Sequence, residues 1–552
     1  MALKVGQINA QRSAAAAASL ELLMRELNLD ILCLQEPFSY KGKVRGYNSP
    51  SLIKIQPQNS EKAWVAAAVN TNRVDVLLNM GTECDHIMCF KVLIGDLEFI
   101  IINVYCQYSI PLEGFLAKLE RIINSFQCEK LLITMDANAK SGLWFDKITD
   151  EKGILLEEFV YENNLVILNK PNNPPTFMGG NGSSNIDITL ATENFIRHVK
   201  SWKVDCSCTT SDHNLIILEL EIGTKVSRSW KADLGYNTKK ADWNKFGSFV
   251  ERNFDDEVIN LLCTLPADKA VSLFNKKLDD CCKNSIPKRR MCEKTVPWWN
   301  LQLTNMRKKV MAAKKQLIRA MRLHLDNVYN EYASEYKKLR NEYVSQIRKQ
   351  KKETWQKFVE IEGNKDPWGI VHKIVNDKIG KPIIWTALQL SDGRRTTSLD
   401  GTIEALLNKC VPTDDSIESS DCRAVRQNLK EYRNRNLEPL ISFNEVKVAI
   451  YKFKNKKAPG LDNFKIEIVK ELWNRKSDVI YGLINNCFSQ GSFPRKWKES
   501  NLKILLKNES RDRALINSYR PIALLSVIGK TYERIIVNRI QLAYNEAGLE
   551  SP

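Results

Sequence analysis

The chain has 552 residues, and its 43% hydrophobic content excludes a disordered protein. No apolar run approaches the roughly 20 residues that span a bilayer. Residues 1–13 lack the charged, apolar and small-residue order of a secretion signal. The 14 cysteines include no C-x-x-C pair, which argues against zinc and thioredoxin-like redox sites. We therefore expect an intracellular protein of several domains, with no membrane segment.

The charge divides the chain into two parts. Residues 1–222 hold 20 basic and 26 acidic residues, whereas residues 223–552 hold 62 basic and 39 acidic residues. All of the net positive charge of +17 therefore comes from the second part. Such asymmetry indicates a region that faces nucleic acid, joined to a domain of another kind.

Residues 1–222 show the pattern of an α/β domain. Helical patterns at 13–28 and 153–164, the first with Ser13 as its N-cap, lie between apolar runs of strand length. The Pro/Asn/Gly-rich stretch 169–185 is predicted to be a long loop. Seven apolar runs predict strands: 3–8, 30–35, 64–69, 99–105, 130–135, 185–191 and 214–222.

Residues 223–440 favour long, charged helices. The strongly basic stretch 305–360 predicts either a solvated, salt-bridged helical hairpin or a nucleic-acid-binding arm, and the sequence leaves both open. The doublet Trp298-Trp299 is expected to pack rather than to stack on bases. From 441 to the end we expect helices, interrupted by the loop "KKAPGLDN" at 456–463.

Polar residues follow or precede the apolar runs of residues 1–222, where a strand emerges from the core. Ligands bind at such strand ends in α/β folds. Alone, each residue has a plainer explanation, since an Asp-His pair before a strand is most often a turn. Together they are Asn9, Glu36, Tyr105, Asp136, Asn138, Asp187, Asp212 and His213.

This set of residues suits metal-assisted phosphoester hydrolysis. Carboxylates bind Mg²⁺ and leave positions for water and phosphate oxygens. The metal polarises the phosphoryl group, and one carboxylate can activate the attacking water. Histidine and asparagine can donate to the non-bridging oxygens, where charge develops.

The order of the motifs resembles the endonuclease/exonuclease/phosphatase superfamily. Within it, the chain is most similar to the apurinic-like endonuclease domain of non-LTR retrotransposons of the arthropod jockey-related kind, and Met135 departs from the usual glycine. The resemblance implies a two-sheet α/β sandwich over 1–222. The motifs are Asn9, "QEP" at 35–37, "NVY" at 103–105, "DAN" at 136–138, "SNID" at 184–187 and "SDHN" at 211–214.

The resemblance also implies a role for each residue. Glu36 resembles the main ligand of Mg²⁺, with Mn²⁺ as an alternative ion, and Asn9 and Asp212 resemble supporting ligands. Asp187 resembles the carboxylate that pairs with His213, which stabilises the transition state or acts as acid and base. Asp136 resembles the residue that activates water, and the phosphate contacts are Asn138 and Tyr105.

A second resemblance begins near residue 441. Residues 457–472, 493–508 and 518–540 are similar to the opening segments of a non-LTR reverse transcriptase. The aspartates that hold the two metals of such a polymerase are not found after them. We therefore expect three regions: an endonuclease domain (1–222), a basic helical linker (223–440) and an N-terminal, inactive part of a reverse transcriptase (441–552).

The predicted function is nicking of target DNA, with a 3′-hydroxyl product, for target-primed retrotransposition. The expected partners are target DNA and, through the basic region 223–552, the element RNA, and the expected location is the nucleus. Two alternatives stay open. One is a phosphoesterase or abasic-site repair enzyme of the same fold, and the other is a decayed or domesticated nucleic-acid-binding protein. The sequence does not predict the oligomeric state.

Overall fold

A computed structural model provides the structure of the protein, and it describes most of the chain. The described residues are 2–47, 52–57, 62–78, 84–126, 129–179, 182–205, 209–222, 235–288, 297–323, 326–366, 369–375, 385–390, 392–411, 419–431, 438–508 and 511–546.

Residues 2–222 form sixteen strands and four α-helices within the described positions. The strands are β1 (Ala2–Asn9), β2 (Ile31–Gln35), β3 (Ser39–Tyr40), β4 (Lys43–Val44), β5 (Leu52–Ile55), β6 (Val65–Asn70), β7 (Asp75–Leu78), β8 (Ile87–Ile94), β9 (Leu97–Tyr105), β10 (Leu131–Asp136), β11 (Leu165–Ile167), β12 (Phe177–Gly179), β13 (Gly182–Ser184), β14 (Asp187–Thr192), β15 (Val199–Asp205) and β16 (Leu215–Glu221). The helices are α1 (Ala14–Glu26), α2 (Leu112–Ser125), α3 (Glu151–Glu162) and α4 (Glu193–Ile196).

The remaining described residues are mainly helical. Their helices are α5 (Trp243–Asn253), α6 (Asp256–Thr264), α7 (Ala267–Ser285), α8 (Leu301–Arg322), α9 (Asp326–Lys365), α10 (Ile370–Val375), α11 (Leu399–Cys410), α12 (Ser420–Glu431), α13 (Phe443–Tyr451), α14 (Ile466–Arg475), α15 (Ser477–Ser489), α16 (Arg495–Lys498) and α17 (Val527–Glu546). Their strands are β17 (Trp385–Thr386), β18 (Asn501–Leu506) and β19 (Tyr519–Leu524). No helix among these residues or those before them is long and apolar enough to cross a bilayer.

Two mixed sheets face each other in the first region. Their strand orders are β15-β16-β1-β2-β6-β5 and β11-β14-β10-β9-β8-β7-β17. Alternate residues of both sheets, among them Val5 and Ile31 of one and Phe90 and Ile101 of the other, pack into a single buried cluster. Successive side chains of a strand point to opposite faces of its sheet. The outward-facing side chains of the first sheet therefore pack on α1, and those of the second sheet pack on α2 and α3. The predicted two-sheet α/β sandwich is confirmed.

The seven predicted strands are all present, as β1, β2, β6, β9, β10, β14 and β16. Ser13 caps α1 as predicted, since its hydroxyl accepts a hydrogen bond from the Ala16 N–H. The predicted loop 169–185 is wrong in part, because 177–179 and 182–184 form the paired strands β12 and β13.

The chain divides into two compact units. The first unit comprises Met1–Ser229 and Cys292–Ala405, and the second comprises Trp230–Met291 and Leu406–Pro552. The first unit therefore includes α8, α9 and β17 besides the sandwich, and β17 pairs with β7 in parallel. The stretch 223–440, which the sequence groups as one linker, contributes to both units. The division into three regions stays a prediction.

The second unit has its own helical core. Buried side chains of α5 to α7 pack with those of α13 to α15 and α17, including Phe246, Phe274, Trp473 and Ile528. The expectation of helices alone after residue 441 is wrong at one place, because 501–506 and 519–524 form an antiparallel hairpin. "NLKILL" has apolar residues at both strand and helix spacing, so its pattern does not decide between the two.

Candidate active site

Four of the predicted site residues lie at strand ends that meet at one edge of the sandwich. Tyr105 ends β9, Asp136 ends β10 and Asp187 begins β14. Asp136 is the register partner of both Tyr105 and Asp187, because β10 runs parallel to β9 and antiparallel to β14. Asn9 ends β1 in the opposite sheet. Sheet pairing therefore places three site residues side by side, with the fourth facing them.

Asn9 connects the two sheets at this edge. Its Nδ2 donates to Asp136 Oδ2 at 2.7 Å and to Glu36 Oε2 at 3.2 Å. Glu36 follows β2 in the left-handed backbone region, with φ 43°, a conformation that non-glycine residues adopt rarely and often at functional sites. Two carboxylates thus face a single amide group.

His213 forms a buried pair with Asp187. The imidazole Nδ1 lies 2.9 Å and 3.1 Å from the two carboxylate oxygens, and both side chains are buried. The ring of Phe177 contacts that of His213 edge-on, at 4.9 Å between centroids. Burial lowers the pKa of His213, but the carboxylate of Asp187, with smaller contributions from Asp136 and Asp212, raises it to about 9. The imidazole is therefore protonated at neutral pH.

The buried position of Asp136 disfavours the ionised form of its carboxyl group. It is fully buried, and burial together with the negative charge of Asp187 raises its pKa above the ordinary value, against the opposing effects of His213 and Asn9. Ligand atoms of Asp136, Asp187 and His213 all lie within 4.8 Å of one another, close enough to share a metal ion. Positive charge at this point would relieve the repulsion between the two carboxylates.

Tyr105 stands in a stack of aromatic rings. Its ring lies 5.6 Å from that of Trp64, which in turn lies 5.0 Å from His86 and 4.0 Å from the guanidinium carbon of Arg12. Burial and the carboxylates of Glu36 and Asp136 raise the pKa of the Tyr105 hydroxyl. Tyr105 is therefore a neutral hydrogen-bond donor at physiological pH.

Asn138 follows Asp136 closely and is held by the backbone. Its φ of 47° is left-handed, and its Nδ2 donates to the Cys106 carbonyl at 2.9 Å. Its own N–H lies 3.4 Å from Asp136 Oδ1. The amide retains a second N–H for another acceptor.

Asp212 is not part of the Asp136–Asp187–His213 group. One of its oxygens lies 3.1 Å from Arg340 Nη2, and the other accepts from Gln11 Nε2 at 3.1 Å. Asp212 is predicted to support Glu36 at the metal, and that role stays a prediction.

Several residues that support the site were not singled out from the sequence. Gln11 holds both the side chain and the N–H of Asp212, and Gln7 bridges the sheets by donating to the carbonyls of Met135 and Ile188. Asn103 accepts from Gln35 at 2.7 Å. The available signal was a polar residue in the interior of an otherwise apolar strand, as in Gln7 of "LKVGQI" and Asn103 of "FIIINVY".

Comparison with known proteins finds relatives among mobile elements. Residues 99–217 match the family described as endonuclease-reverse transcriptase. The chain is 27% identical over 515 residues to the retrovirus-related Pol polyprotein from type-1 retrotransposable element R1 of Bradysia coprophila, covering 91% of this chain and 50% of that protein. It is 24% identical over 471 residues to the RNA-directed DNA polymerase from mobile element jockey of Drosophila melanogaster, covering 80% and 47% respectively. The homologues are non-LTR retrotransposon polyproteins.

The predicted resemblance to these elements is confirmed. The chain spans about half the length of the curated relatives it matches, 50% and 47% in the two cases above. Among solved structures, the endonuclease domain of TRAS1, a telomere-specific non-LTR retrotransposon, is similar to 40% of this chain and 100% of that chain, with 27% identity and a TM-score of 0.36.

Proposed function

We propose that the sandwich is a Mg²⁺-dependent endonuclease that hydrolyses one phosphodiester bond of target DNA. The product is a 3′-hydroxyl, which serves as the primer in target-primed retrotransposition. The observation that carries the proposal is the meeting of Asn9, Glu36 and Asp136 with the buried Asp187–His213 pair at one sheet edge. Retrotransposon relatives over most of the chain support DNA as the substrate.

The residues present fit a hard divalent cation. Glu36 and Asp136 offer carboxylate oxygens on either side of Asn9, and such oxygens are the preferred ligands of Mg²⁺ and Mn²⁺. The pKa of Asp136 is raised first by burial and then by the negative charge of Asp187, and a bound cation would offset both effects. We assign Glu36 as the main ligand, with Asn9 beside it. When bound, the ion supplies polarisation of the phosphoryl group and stabilisation of the leaving oxygen.

His213 is the residue that donates to the phosphate. Nδ1 faces Asp187, which leaves Nε2 on the other side of the ring for the substrate. With a pKa raised to about 9, the imidazolium carries a positive charge near neutrality and can donate to an oxygen where negative charge develops. Asp187 fixes the ring orientation and stabilises the charged form.

Asp136 is the residue that orients and deprotonates the attacking water. A carboxyl group whose pKa is raised by burial is a stronger base than an ordinary aspartate once it is ionised. Asn138, with its remaining amide N–H, and Tyr105, with its neutral hydroxyl, contact the non-bridging phosphate oxygens. The Asn138 side chain is held by its hydrogen bond to the Cys106 carbonyl, and the Tyr105 ring is held by stacking on Trp64.

Nicking of supercoiled plasmid by the full chain tests the proposal. We expect conversion to the open circle with Mg²⁺, none with EDTA, and none with the His213→Ala or Glu36→Gln variants. His198→Ala, a histidine on the partly exposed turn before β15, is the matched control and should nick normally. Normal nicking by His213→Ala would overturn the site assignment. Higher activity on abasic DNA or a phosphoinositide than on intact plasmid would favour a repair enzyme or phosphatase.

We propose that the region 441–552 has no polymerase activity by itself. Among the described residues, no group of three or more potential metal ligands includes its three aspartates, Asp462, Asp478 and Asp512, whereas a polymerase needs carboxylates that hold two metals together. The basic remainder, 223–552, is proposed to bind the element RNA and to add affinity for DNA in the nucleus. Incorporation of dNTPs on a primed RNA by the full chain would contradict the first proposal.

A further inference from the structure

Helices α8 and α9, the hairpin 301–365, pack against the sandwich within the first unit. Leu303 and Val310 of α8 join Tyr343 and Ile347 of α9 in a buried cluster with two alanines of α1, Ala15 and Ala18. Alanine side chains end at Cβ, so helices can approach closely there. The run of five alanines in the sequence thus forms part of a helix contact surface.

A second apolar contact lies near the site. Leu317 and Ile318 of α8 pack on Met178 of β12. Residue 178 donates its N–H to the Asp212 carbonyl at 2.8 Å, and Phe177 forms a bridge with His213. The hairpin therefore rests on the strand that pairs with the His213 segment.

Lys314 of α8 is buried and directed at the residue after His213. It is 2% exposed, and its Nζ donates to Asn214 Oδ1 at 2.6 Å. A buried ammonium is costly unless its hydrogen bonds are satisfied. Asn214 in turn donates its Nδ2 to the Pro175 carbonyl at 2.6 Å and its N–H to the Thr176 carbonyl, also at 2.6 Å. Lys314 thus contacts the point where two segments of the site are joined.

Arg340 of α9 contacts the residues before His213. Its Nη2 donates to the Thr210 carbonyl at 2.9 Å and lies 3.1 Å from Asp212 Oδ1. Thr210 has φ 60°, which is costly for a β-branched residue and persists only where neighbouring groups hold it. Arg340 binds the carbonyl of this strained residue.

We propose that Lys314 and Arg340 are positioning residues that hold the segment 210–214, and with it His213, in the geometry needed for reaction. The two cations belong to a hairpin with 16 basic and 7 acidic residues, whereas the sandwich they contact has net charge −6. They contact opposite ends of a five-residue segment, so the imidazole between them has little freedom to move. The inference rests on the proposed nuclease function.

The test measures nicking by the full chain with single substitutions, Lys314→Met and Arg340→Met. We expect the rate at saturating DNA to fall at least tenfold, with the half-saturating DNA concentration within about twofold of wild type, because misplacing a catalytic group by about 1 Å lowers the rate more than it lowers binding. Arg340→Lys keeps a cation for Asp212 and should recover part of the loss. Lys200→Met and Arg121→Met remove the same charge from exposed positions of β15 and α2, and should leave the saturating rate unchanged.

The outcomes separate the two proposals. If wild type does not nick, the proposed function fails. If wild type nicks and both variants match its saturating rate, only the positioning role is wrong. A rise in half-saturating DNA concentration alone would show that the two cations bind DNA, and would also overturn it. If Lys314→Met shows no cooperative thermal unfolding transition, it is not folded, and the rate of Arg340→Met alone tests the proposal. The Arg340 side chain is 22% exposed, and its removal leaves no buried charge behind.

Discussion

In the sandwich, two buried carboxyl groups, Asp136 and Asp187, lie within 4.8 Å of each other and of His213. In the second unit, the carboxylate of Glu445 instead faces an arginine, with Arg539 Nε at 2.7 Å and Nη2 at 3.0 Å. The pKa of Asp136 is raised, because its ionised form is buried beside a like charge. The pKa of Glu445 is lowered to about 2, because Arg539 stabilises its ionised form.

The difference shows at which carboxyl group burial of charge lowers the stability of the fold. Like charges buried together cost free energy and are retained at sites that bind cations or carry out chemistry, whereas a paired carboxylate at a helix start contributes to folding. Glu445 also closes the capping box of α13 with Ser442. Removing a carboxylate should therefore have opposite effects on folding in the two places.

Asp136→Asn should give the largest effect. We expect a loss of about 10³-fold in nicking rate, since both water activation and charge stabilisation depend on this carboxylate. In EDTA at pH 7 the same variant should be more stable by about 1–3 kcal/mol, because the amide carries no charge to repel Asp187. The gain should vanish near pH 4, where Asp136 is protonated. Urea unfolding at both pH values measures it, with Asp75→Asn at an exposed position of β7 as control.

Substitution of Gly460, in the "APGLD" segment, tests whether close backbone packing at this segment stabilises the second unit. A Cβ there would lie 2.6 Å from the backbone of both Leu525 and Ser526, which cannot move aside cheaply. Gly460→Ala should therefore cost about 2–3 kcal/mol of folding free energy. Gly363→Ala in α9, where a Cβ meets nothing within 4 Å, should gain about 0.5–1 kcal/mol. Equal denaturation midpoints for Gly460→Ala and wild type would show that the close approach is not structural.

His213 should make the free energy of unfolding fall as pH rises. Its pKa is raised to about 9 in the folded state, so the stabilisation is complete below the unfolded value of about 6.5 and is lost as pH rises through about 9. We expect a loss of about 1–2 kcal/mol across this window in EDTA. His213→Gln should remove the slope, and His198→Gln should not. A wild-type curve that is flat from pH 6.5 to 9.5 would contradict the paired, protonated imidazole.

The sequence predicted the sandwich and most of its site for a physical reason. Strands buried on both faces give apolar runs, and the polar residue that ends each run marks where the chain reaches solvent or a ligand. Asn9, Tyr105 and Asp136 were found in this way. β8 was missed although most residues of "HIMCFKVLI" are apolar, and the four residues of β7 are too few for their pattern to identify a strand.

Contacts between distant segments could not be read from local patterns. Arg340 is 128 residues from Asp212 and Lys314 is 100 residues from Asn214, and their helices show only the amphipathic, basic pattern of an exposed hairpin. The two predictions for residues 305–360 were a solvated hairpin and a nucleic-acid-binding arm. Neither prediction included contacts between these helices and the sandwich. The Trp298-Trp299 doublet was predicted to pack, and both rings do pack against the buried cluster that joins α8 and α9 to α1.

Glu445→Gln should give the smallest effect and the opposite sign with pH. The side chain is 34% exposed, so solvent screens the pair and the loss at pH 7 should be about 0.5–1 kcal/mol. Because the folded pKa is depressed, the stabilisation is present above the unfolded value of about 4.5 and is lost as pH falls through about 2. The two proteins should therefore unfold at different urea concentrations at pH 7 and at the same concentration at pH 2. A difference that persists at pH 2 would place the contribution of Glu445 in its neutral hydrogen bonds to Ser442 rather than in its charge.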